Sequence, residues 1–219
     1  MGVAGGPDMI ENGLVLSLDA SDRNSYVSGS TTWFDLSGNN NSGSLVNGPT
    51  FNTGSLGSIV FDGVDDYVSA PSSLYVDNFT LNAWVYKTTS GIQNIIAKGN
   101  VSFQLNFYLR IAGNSGFFGA SGGFTEITIA DLTLNTWNNT VLTYDKNNLR
   151  YFLNGVFINQ VSATNTPTSS SSNTIIGRLG DFNGQYWTGR IASTSIYNRA
   201  LSAQEVLQNY NVTKARFGL

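Results

Sequence analysis

The chain has 219 residues, of which 41% are hydrophobic and only 11% are charged, and its formal net charge is −3. It contains no cysteine and no histidine, which excludes a disulfide framework, a thiolate metal site and histidine-based catalysis. The small negative charge gives no attraction to nucleic acid, and no stretch reaches the roughly 20 apolar residues of a membrane helix. A chain of this length and composition is expected to form one β-rich domain with a surface of Asn, Ser, Thr and Gly.

Short alternating segments predict a chain built almost wholly of β-strands. Asp62-Gly63 is typical of a tight turn or bulge, and Asn154-Gly155 is the strongest hairpin signal in the chain. The Ser- and Thr-rich segment 162–173 indicates an exposed loop. Strands are predicted, in chain order, over residues 14–18, 58–70 with an interruption at the Asp-Gly pair, 79–86, 92–97, 101–111, 125–129, 141–144, 149–153, 156–161, 174–179 and 189–197.

One helix is predicted, near the C-terminus. Ser202 and Glu205 have the spacing of a capping box, in which each side chain accepts from the other residue's free backbone N–H. Val206, Leu207 and Tyr210 give this helix of about two turns one apolar face. We therefore expect an N-terminal arm over 1–12, a sandwich over 13–210 and a C-terminal tail over 211–219, with both ends either docking to a partner or frayed.

An ordered series of motifs resembles the laminin-G-like members of the concanavalin-A-like lectin and glucanase superfamily over residues 14–210. The resemblance implies an all-β, concanavalin-A-like jelly-roll sandwich of two antiparallel sheets with one short C-terminal helix. Residues 209–219 also look like the ends of laminin-G-like proteins encoded by tailed phages. The motifs lie at 33–41, 59–68, 79–84, 137, 143–145, 151–155, 176–178, 189–192, 196–202 and 205.

The superfamily includes glycosidases, so an enzymatic role has to be considered. Glycoside hydrolysis generally requires two carboxylates about 5–9 Å apart. The three glutamates are Glu11 in the arm, Glu205 in the capping box and Glu126, which stands alone. No paired motif is present, and we expect the protein not to be an enzyme.

Four aspartates are candidate calcium ligands, because Ca²⁺ prefers carboxylate and carbonyl oxygens in loops. Asp62, Asp65 and Asp66 are clustered, and Asp35 precedes a turn at Ser37-Gly38. The alternative is that Asp62-Gly63 forms a structural turn and that Asp35 caps the turn that follows it. Calcium is the sole cofactor predicted, and the resemblance does not fix its ligands.

Aromatic residues give the candidates for ligand binding. Trp33, Trp84 and Trp137 lie in apolar runs and are expected in the core. Two adjacent pairs lie between glycines, and each either stacks on a sugar or anchors a partner, or else covers a sheet edge. These pairs are Tyr186-Trp187 and Phe117-Phe118.

The sequence supports two hypotheses about function. The first is a non-enzymatic virion structural or decoration protein, a capsid or tail component, that contacts other virion proteins, copies of itself or the host surface. Residues 1–7 lack the pattern of a signal peptide, and the absence of cysteine suits assembly in a reducing host cytoplasm. The alternative is a carbohydrate-binding, lectin-like module, assisted by calcium, that recognises a cell-surface glycan. Neither hypothesis includes nucleic-acid binding or membrane insertion.

Overall fold

The computed structural model describes residues 8–99, 105–120, 122–180 and 184–219. In chain order its elements are β1 (Leu14–Asp19), β2 (Thr32–Trp33), β3 (Gly43–Val46), β4 (Thr50–Asn52), β5 (Ser58–Asp62), β6 (Tyr67–Ala70), β7 (Phe79–Lys87), β8 (Gln93–Lys98), β9 (Phe107–Ile111), β10 (Gly113–Phe118), β11 (Phe124–Ile129), β12 (Trp137–Tyr144), β13 (Asn148–Leu153), β14 (Val156–Ser162), β15 (Thr174–Ile176), β16 (Thr188–Tyr197) and α1 (Ala203–Thr213). Two short 3₁₀ helices, Gly54–Leu56 and Lys214–Phe217, complete the described structure.

Within the described residues, the strands form two antiparallel sheets of eight strands each. The first sheet has the order β14-β13-β12-β7-β16-β5-β4, with β1 also paired to β16. The second sheet has the order β11-β10-β9-β8-β15-β6-β3-β2. Neighbouring strands are often far apart in sequence, which is the connectivity of a jelly roll, and the predicted sandwich is confirmed.

The two sheets enclose the main hydrophobic core. In β7 the alternate residues Phe79, Leu81, Ala83 and Val85 are fully buried and face the second sheet. This is the period-two pattern of a strand whose inner face packs against another sheet. Trp33 lies in the same core, as predicted.

The C-terminal helix covers the outer face of the first sheet. It begins with the predicted capping box of Ser202 and Glu205, but it is longer than predicted and ends at Thr213. Trp84 and Trp137 are buried against this C-terminal segment, together with Phe217, and therefore lie outside the main core.

Residues 211–217 of the segment predicted as a C-terminal tail belong to α1 and the following 3₁₀ helix. The arm over 1–12 is described only from residue 8 onward. There, the backbone N–H of Ile10 donates to Asn209 Oδ1 at 2.9 Å, and the hydroxyl of Tyr197 donates to the carbonyl of Ile10 at 2.9 Å. The described end of the arm is thus bonded to the sandwich.

The Asn154-Gly155 hairpin is confirmed, with φ of 51° and 76° at the two residues as a type I′ turn requires. The sequence missed β2, β3, β4 and β10. Residues 101–104 of the predicted 101–111 strand lie outside the described residues. Within the described ranges, no helix has the length and apolar character needed to cross a membrane.

Candidate functional site

The outer face of the second sheet carries a hydrogen-bonded cluster of polar and aromatic side chains. In β9, Phe107, Leu109 and Ile111 point into the core, so Tyr108 and Arg110 point outward. The same alternation in β11 buries Ile127 and Ile129 and turns its other side chains outward. We call the resulting surface the polar face, and its residues are Tyr108, Arg110, Asn114, Phe124, Glu126 and Thr128.

The carboxylate of Glu126 is held in place from two sides. The hydroxyl of Tyr108 donates to one carboxylate oxygen, and Asn114 Nδ2 donates to the other at 2.8 Å. Thr128 Oγ1 in turn donates to Asn114 Oδ1 at 3.0 Å. Because an ionised carboxylate has about four acceptor sites, Glu126 retains lone pairs for donors on a ligand.

Arg110 lies beside this carboxylate network. Its Nε donates to the carbonyl of Asn114 at 2.7 Å, and its guanidinium carbon lies 5.3 Å from the centroid of the Tyr108 ring. A longer contact of 3.5 Å joins the guanidinium to Gln185 Oε1, which also accepts from Asn94 Nδ2 at 2.6 Å. The guanidinium is therefore fixed by one short hydrogen bond at Nε and lies beside the ring of Tyr108.

An exposed aromatic ring borders the network. Phe124 is 43% exposed, and its ring meets that of Tyr108 edge-on with centroids 6.4 Å apart. Tyr108 itself is buried, and burial together with its hydrogen bond to Glu126 raises the pKa of its phenol. The phenol is consequently a neutral hydrogen-bond donor at physiological pH, and the partly exposed ring of Phe124 lies beside it.

Several buried polar atoms of the second sheet and its loops have no hydrogen-bond partner among the described residues. Two of them are Asn94 Oδ1 and Arg178 Nε. The guanidinium of Arg178 stacks on Tyr67 of β6 at 3.8 Å from the ring centroid. Buried polar groups normally have partners, and an unpaired one costs about 1–3 kcal/mol, so both atoms favour a further acceptor or donor at this sheet.

Trp187 and Phe117, two of the ligand-binding candidates, are fully buried in the main core, so their side chains are not accessible to a sugar or a partner. The neighbouring glycines have a different role from the one inferred. A Cβ at Gly116 would lie 1.9 Å from the carbonyl oxygen of Thr125, and one at Gly189 would lie 2.1 Å from that of Tyr86. These glycines therefore allow close strand pairing and do not mark an exposed loop.

The other two candidates of the aromatic pairs are Tyr186 and Phe118. Tyr186 is half-buried. Phe118 pairs in register with Phe124, and its side chain lies outside the described part of the chain. Sequence reasoning missed Tyr108, Arg110, Asn114 and Phe124, although the alternation in β9 and β11 contained the signal. It treated Glu126 as an isolated residue, whereas the structure places it at the centre of the polar face.

The structure brings together three of the four predicted calcium ligands. Oxygen atoms of Asp62, Asp65 and Asp66 all lie within 4.8 Å of one another. The N–H of Val64 donates to Asp62 Oδ1 at 2.8 Å, and the N–H of Asp62 donates to Asp66 Oδ2 at 3.0 Å. The structural turn is thus present, and burial followed by the nearby carboxylates raises the pKa of Asp66. Calcium binding at this loop stays a prediction.

Asp35 is not a member of that cluster. Its carboxylate accepts from the backbone N–H groups of Ser17, Ser37 and Asn41, each at 2.9 Å, and from the hydroxyl of Ser37 at 2.8 Å. This set of donors confirms the alternative reading of Asp35 as the residue that caps the turn at Ser37-Gly38.

The other glutamates lie away from the polar face. Glu205 caps α1 and forms an ion pair with Arg199. The hydrogen-bonded network of the polar face, as described, contains one carboxylate. An arrangement of one carboxylate lacks the acid and base pair of most glycosidases, whereas it suits recognition of hydroxyl groups.

Comparison with known proteins gives a family match. A family model described as the concanavalin A-like lectin/glucanases superfamily matches residues 62–207. A comparison with curated protein sequences finds no match.

Several solved structures share the fold. The receptor-binding domain of botulinum neurotoxin type G has a TM-score of 0.70 and 18% identity, covering 92% of this chain and 51% of its own. The binding domain of Paraclostridial Mosquitocidal Protein 1 has a TM-score of 0.69 and 18% identity, covering 92% of this chain and 52% of its own. This chain thus spans about half the length of each toxin domain.

A third structure matches over nearly its full length. Domain 4 of AbnA, a GH43 extracellular arabinanase from Geobacillus stearothermophilus, in complex with arabinotriose, has a TM-score of 0.65 and 14% identity. The match covers 90% of this chain and 98% of that domain. At these identities the likeness shows the fold alone. The named structures are toxin and arabinanase domains, so the resemblance to phage proteins is not supported, and the virion role stays a prediction.

Proposed function

The chain belongs to the concanavalin A-like lectin/glucanases superfamily, and from that membership we propose that it is a non-catalytic module that binds a glycan on the polar face. The observation that carries the proposal is the exposed ring of Phe124 beside the fixed carboxylate of Glu126. A sugar presents an apolar C–H face and a rim of hydroxyls, and this pairing of groups matches both. The arabinotriose complex of the structurally similar AbnA domain supports the choice of a carbohydrate as the ligand class.

Each group of the polar face contacts a different part of the sugar. Stacking on the ring of Phe124 contributes about 0.5–1.5 kcal/mol, in line with other aromatic contacts. Hydroxyl donors bond to Glu126 and hydroxyl acceptors bond to Arg110, and a hydrogen bond to a charged group contributes about 1.5–3 kcal/mol. Because the site is an open surface, ordering of the ligand offsets part of this gain, and we expect micromolar to millimolar affinity.

The test is binding of the purified protein to a panel of glycans, followed by calorimetry on the best ligand. We expect Phe124→Ala and Glu126→Gln each to weaken binding at least about tenfold, which corresponds to about 1.4 kcal/mol. Phe34→Ala is the matched control, because Phe34 is 48% exposed and follows β2 at the opposite edge of the same sheet. Unchanged affinity in both polar-face variants would assign the glycan to another surface, and failure to bind any glycan would overturn the proposal.

The same assay tests the calcium prediction. Binding is measured in Ca²⁺ and again in chelator, and with Asp65→Asn in the loop that holds Asp62 and Asp66. Loss of glycan affinity in chelator and in Asp65→Asn together would support a calcium-assisted module. Affinity that is independent of Ca²⁺ would leave the polar face as the site and remove the metal from the proposal.

A further inference from the structure

A groove lies on the outer face of the first sheet, between the β13–β14 hairpin and the start of α1. It has a volume of about 490 Å³, within the range of about 300–1,000 Å³ that is common for small-ligand sites. Phe152 and Phe157 occupy directly opposite positions in the hairpin, and both line the groove. Phe152 is buried, whereas Phe157 is 48% exposed and meets the Phe152 ring edge-on with centroids 5.7 Å apart. Phe157 therefore presents an accessible aromatic surface that is packed against a buried ring.

Two ion pairs border these rings. Arg150 Nη1 donates to Asp145 Oδ2 at 2.5 Å. Arg199 donates from Nη1 and Nη2 to the two carboxylate oxygens of Glu205, at 2.9 and 2.6 Å. Asp145, Arg150 and Glu205 all line the groove, and the side chains of both pairs are partly exposed. The two positive and two negative charges cancel, so the groove favours neither a cation nor an anion as its ligand.

The Asp145–Arg150 pair keeps hydrogen-bonding groups that are not used within the described part of the chain. Arg150 Nε donates to Gln160 Oε1 at 3.2 Å and Nη1 donates to Asp145, while Nη2 donates to no described residue. Asp145 Oδ2 accepts from Arg150 alone among the described residues, although each carboxylate oxygen has about two acceptor sites. The pair thus offers N–H donors and an acceptor oxygen in a fixed arrangement beside the exposed ring of Phe157.

Both carboxylates of the groove are ionised at physiological pH. The hydrogen bonds from Arg199 lower the pKa of Glu205 to about 2. Partial burial raises the pKa of Asp145, but hydrogen bonds from Arg150 and from the backbone N–H groups of Asn147 and Asn148 outweigh this effect and lower it overall. Glycoside hydrolysis generally requires one protonated carboxyl group as the general acid. Two carboxylates held in this way therefore suit binding and not catalysis.

We propose that the groove is a second carbohydrate site, separate from the polar face, and that it binds a neutral sugar. The ring of Phe157 stacks on the apolar C–H face of the sugar. Arg150 Nη2 donates to hydroxyl oxygens of the sugar, and Asp145 Oδ2 accepts from its hydroxyl protons. The balanced charges give no preference for an acidic or a basic sugar. The polar face lies on the second sheet and the groove on the first, so binding in the groove does not depend on binding at the polar face.

NMR titration locates the site directly. The isotope-labelled natural chain is titrated with glucose, galactose, mannose and arabinose, and with disaccharides built from them. We expect at least one of these sugars to shift the backbone amide signals of residues 150–157 and 200–203, with a saturable dependence on sugar concentration. The same shifts should persist in Phe124→Ala, which alters the polar face and leaves the groove intact.

Substitutions in the groove test the assigned contacts. Phe157→Ala should weaken binding in the groove about tenfold, because it removes the stacking ring. Ile158→Ala is the matched control, since Ile158 is 53% exposed on the same strand and does not line the groove. Arg150→Met keeps an aliphatic stem but removes the N–H donors, and it should weaken binding at least about tenfold. Well-dispersed amide spectra establish that each variant is folded.

Several outcomes would overturn the second site. No shift at 150–157 or 200–203 with any of the sugars at millimolar concentration would show that the groove binds none of them, while shifts at 107–110 and 124–128 would still report on the polar face. Groove shifts that disappear in Phe124→Ala would show that they are transmitted from the polar face. Equal affinity of Phe157→Ala and Ile158→Ala would remove the stacking contact. Binding of glucuronate or glucosamine in the groove at least about tenfold more tightly than glucose would replace the neutral sugar by a charged one.

Discussion

The ring of Phe217 stacks on the indole of Trp84, with centroids 4.1 Å apart and planes inclined by 23°. Phe217 also meets Trp137 at 4.7 Å, and Trp84 Nε1 donates to Thr213 Oγ1 at 2.9 Å. These contacts make the last residues of the chain a structural cover for the outer face of the first sheet. The sequence predicted a separable tail there because Lys214–Phe217 is too short and too polar to indicate a buried element by periodicity.

Removal of the aromatic cover should destabilise the whole domain. We expect Phe217→Ala to lower the free energy of unfolding by about 2–4 kcal/mol, since truncation of a packed aromatic side chain loses both its burial and its ring contacts. The emission of Trp84 and Trp137 should shift to longer wavelength as both indoles become more exposed. Urea unfolding followed by tryptophan fluorescence measures both effects. Leu219→Ala, at a residue already 52% exposed, is the control, and equal stability of the two variants would contradict the structural role.

Arg216 makes hydrogen bonds that connect the loop of the first 3₁₀ helix, Gly54–Leu56, to strand β1. Its guanidinium donates to the carbonyls of Ser55 at 2.7 Å and Gly57 at 2.5 Å, and to Asp19 Oδ1 at 2.7 Å. Ser55 and Leu56 both have positive φ, of 52° and 65°, which is unfavourable for residues with a side chain. A strained loop requires external contacts to hold it.

Arg216→Ala should therefore release this loop. We expect a loss of about 1–3 kcal/mol in the free energy of unfolding, with faster amide hydrogen exchange at 54–57. Arg216→Lys keeps the charge but has all its donors on one nitrogen, which cannot reproduce the spread of the three guanidinium nitrogens, so we expect it to recover only part of the stability. Arg23→Ala, at an exposed arginine near the same loop, is the control. Unchanged exchange at 54–57 in Arg216→Ala would rule out the fastening role.

Lys87 is fully buried, and its ammonium donates to the Asp131 carboxylate and to the carbonyl of Gly91 at 2.5 Å. The side chain of Asp131 is 32% exposed, so water can solvate its carboxylate. The buried ammonium of Lys87 therefore needs its counter-ion more than Asp131 does. Asp131→Asn leaves a buried charge without its counter-ion and should cost about 3–5 kcal/mol. Lys87→Met leaves a carboxylate that water can solvate, and should cost less.

The double variant gives a sharper test of this asymmetry. Lys87→Met with Asp131→Asn removes both charges, and we expect it to be more stable than Asp131→Asn alone. Denaturant unfolding of the two single variants and the double variant measures the coupling between the residues. Equal losses in the two single variants would contradict the unequal dependence.

Local signals in the sequence were sufficient for the elements that depend on local chemistry. Asn154-Gly155 forms the hairpin that its two αL positions require, and Ser202 with Glu205 forms the capping box. Gly63 adopts a φ of 81° in the turn that follows β5. Each of these features involves residues within four positions of each other, so the local sequence pattern was sufficient to predict it.

Features that depend on contacts between distant segments could not be read in the same way. The polar face joins β9, β10 and β11 to Gln185, and the register of those strands decides that Glu126 meets Tyr108 and Asn114. Trp187 illustrates the converse case. Its neighbours indicate a loop, but its backbone N–H donates to Gly177 at 2.7 Å and its side chain enters the core.

The pH dependence of stability should contain a component from Glu205. Its carboxylate accepts two hydrogen bonds from Arg199, at 2.9 and 2.6 Å, and this pairing lowers the pKa of Glu205 to about 2 from an ordinary value of 4.5. A carboxyl group whose pKa is lower in the folded state binds protons less readily there than in the unfolded chain. The contribution is therefore complete above about pH 5, and it is lost as the pH falls from about 5 to about 2.

Glu205→Gln isolates this component, because glutamine retains a capping side chain but carries no charge. We expect the variant to be less stable than the natural chain by about 1–3 kcal/mol at pH 7, with partial exposure of the pair reducing the full electrostatic gain. The difference should vanish near pH 2, where the natural carboxyl is half protonated or more. Ser202→Ala is the control: it removes the cap, costs about 1 kcal/mol at every pH, and should keep most of the pH-dependent part. Urea unfolding at pH 7, 5, 4, 3 and 2 gives the profiles, and parallel curves for the natural chain and Glu205→Gln would show that the ion pair does not contribute.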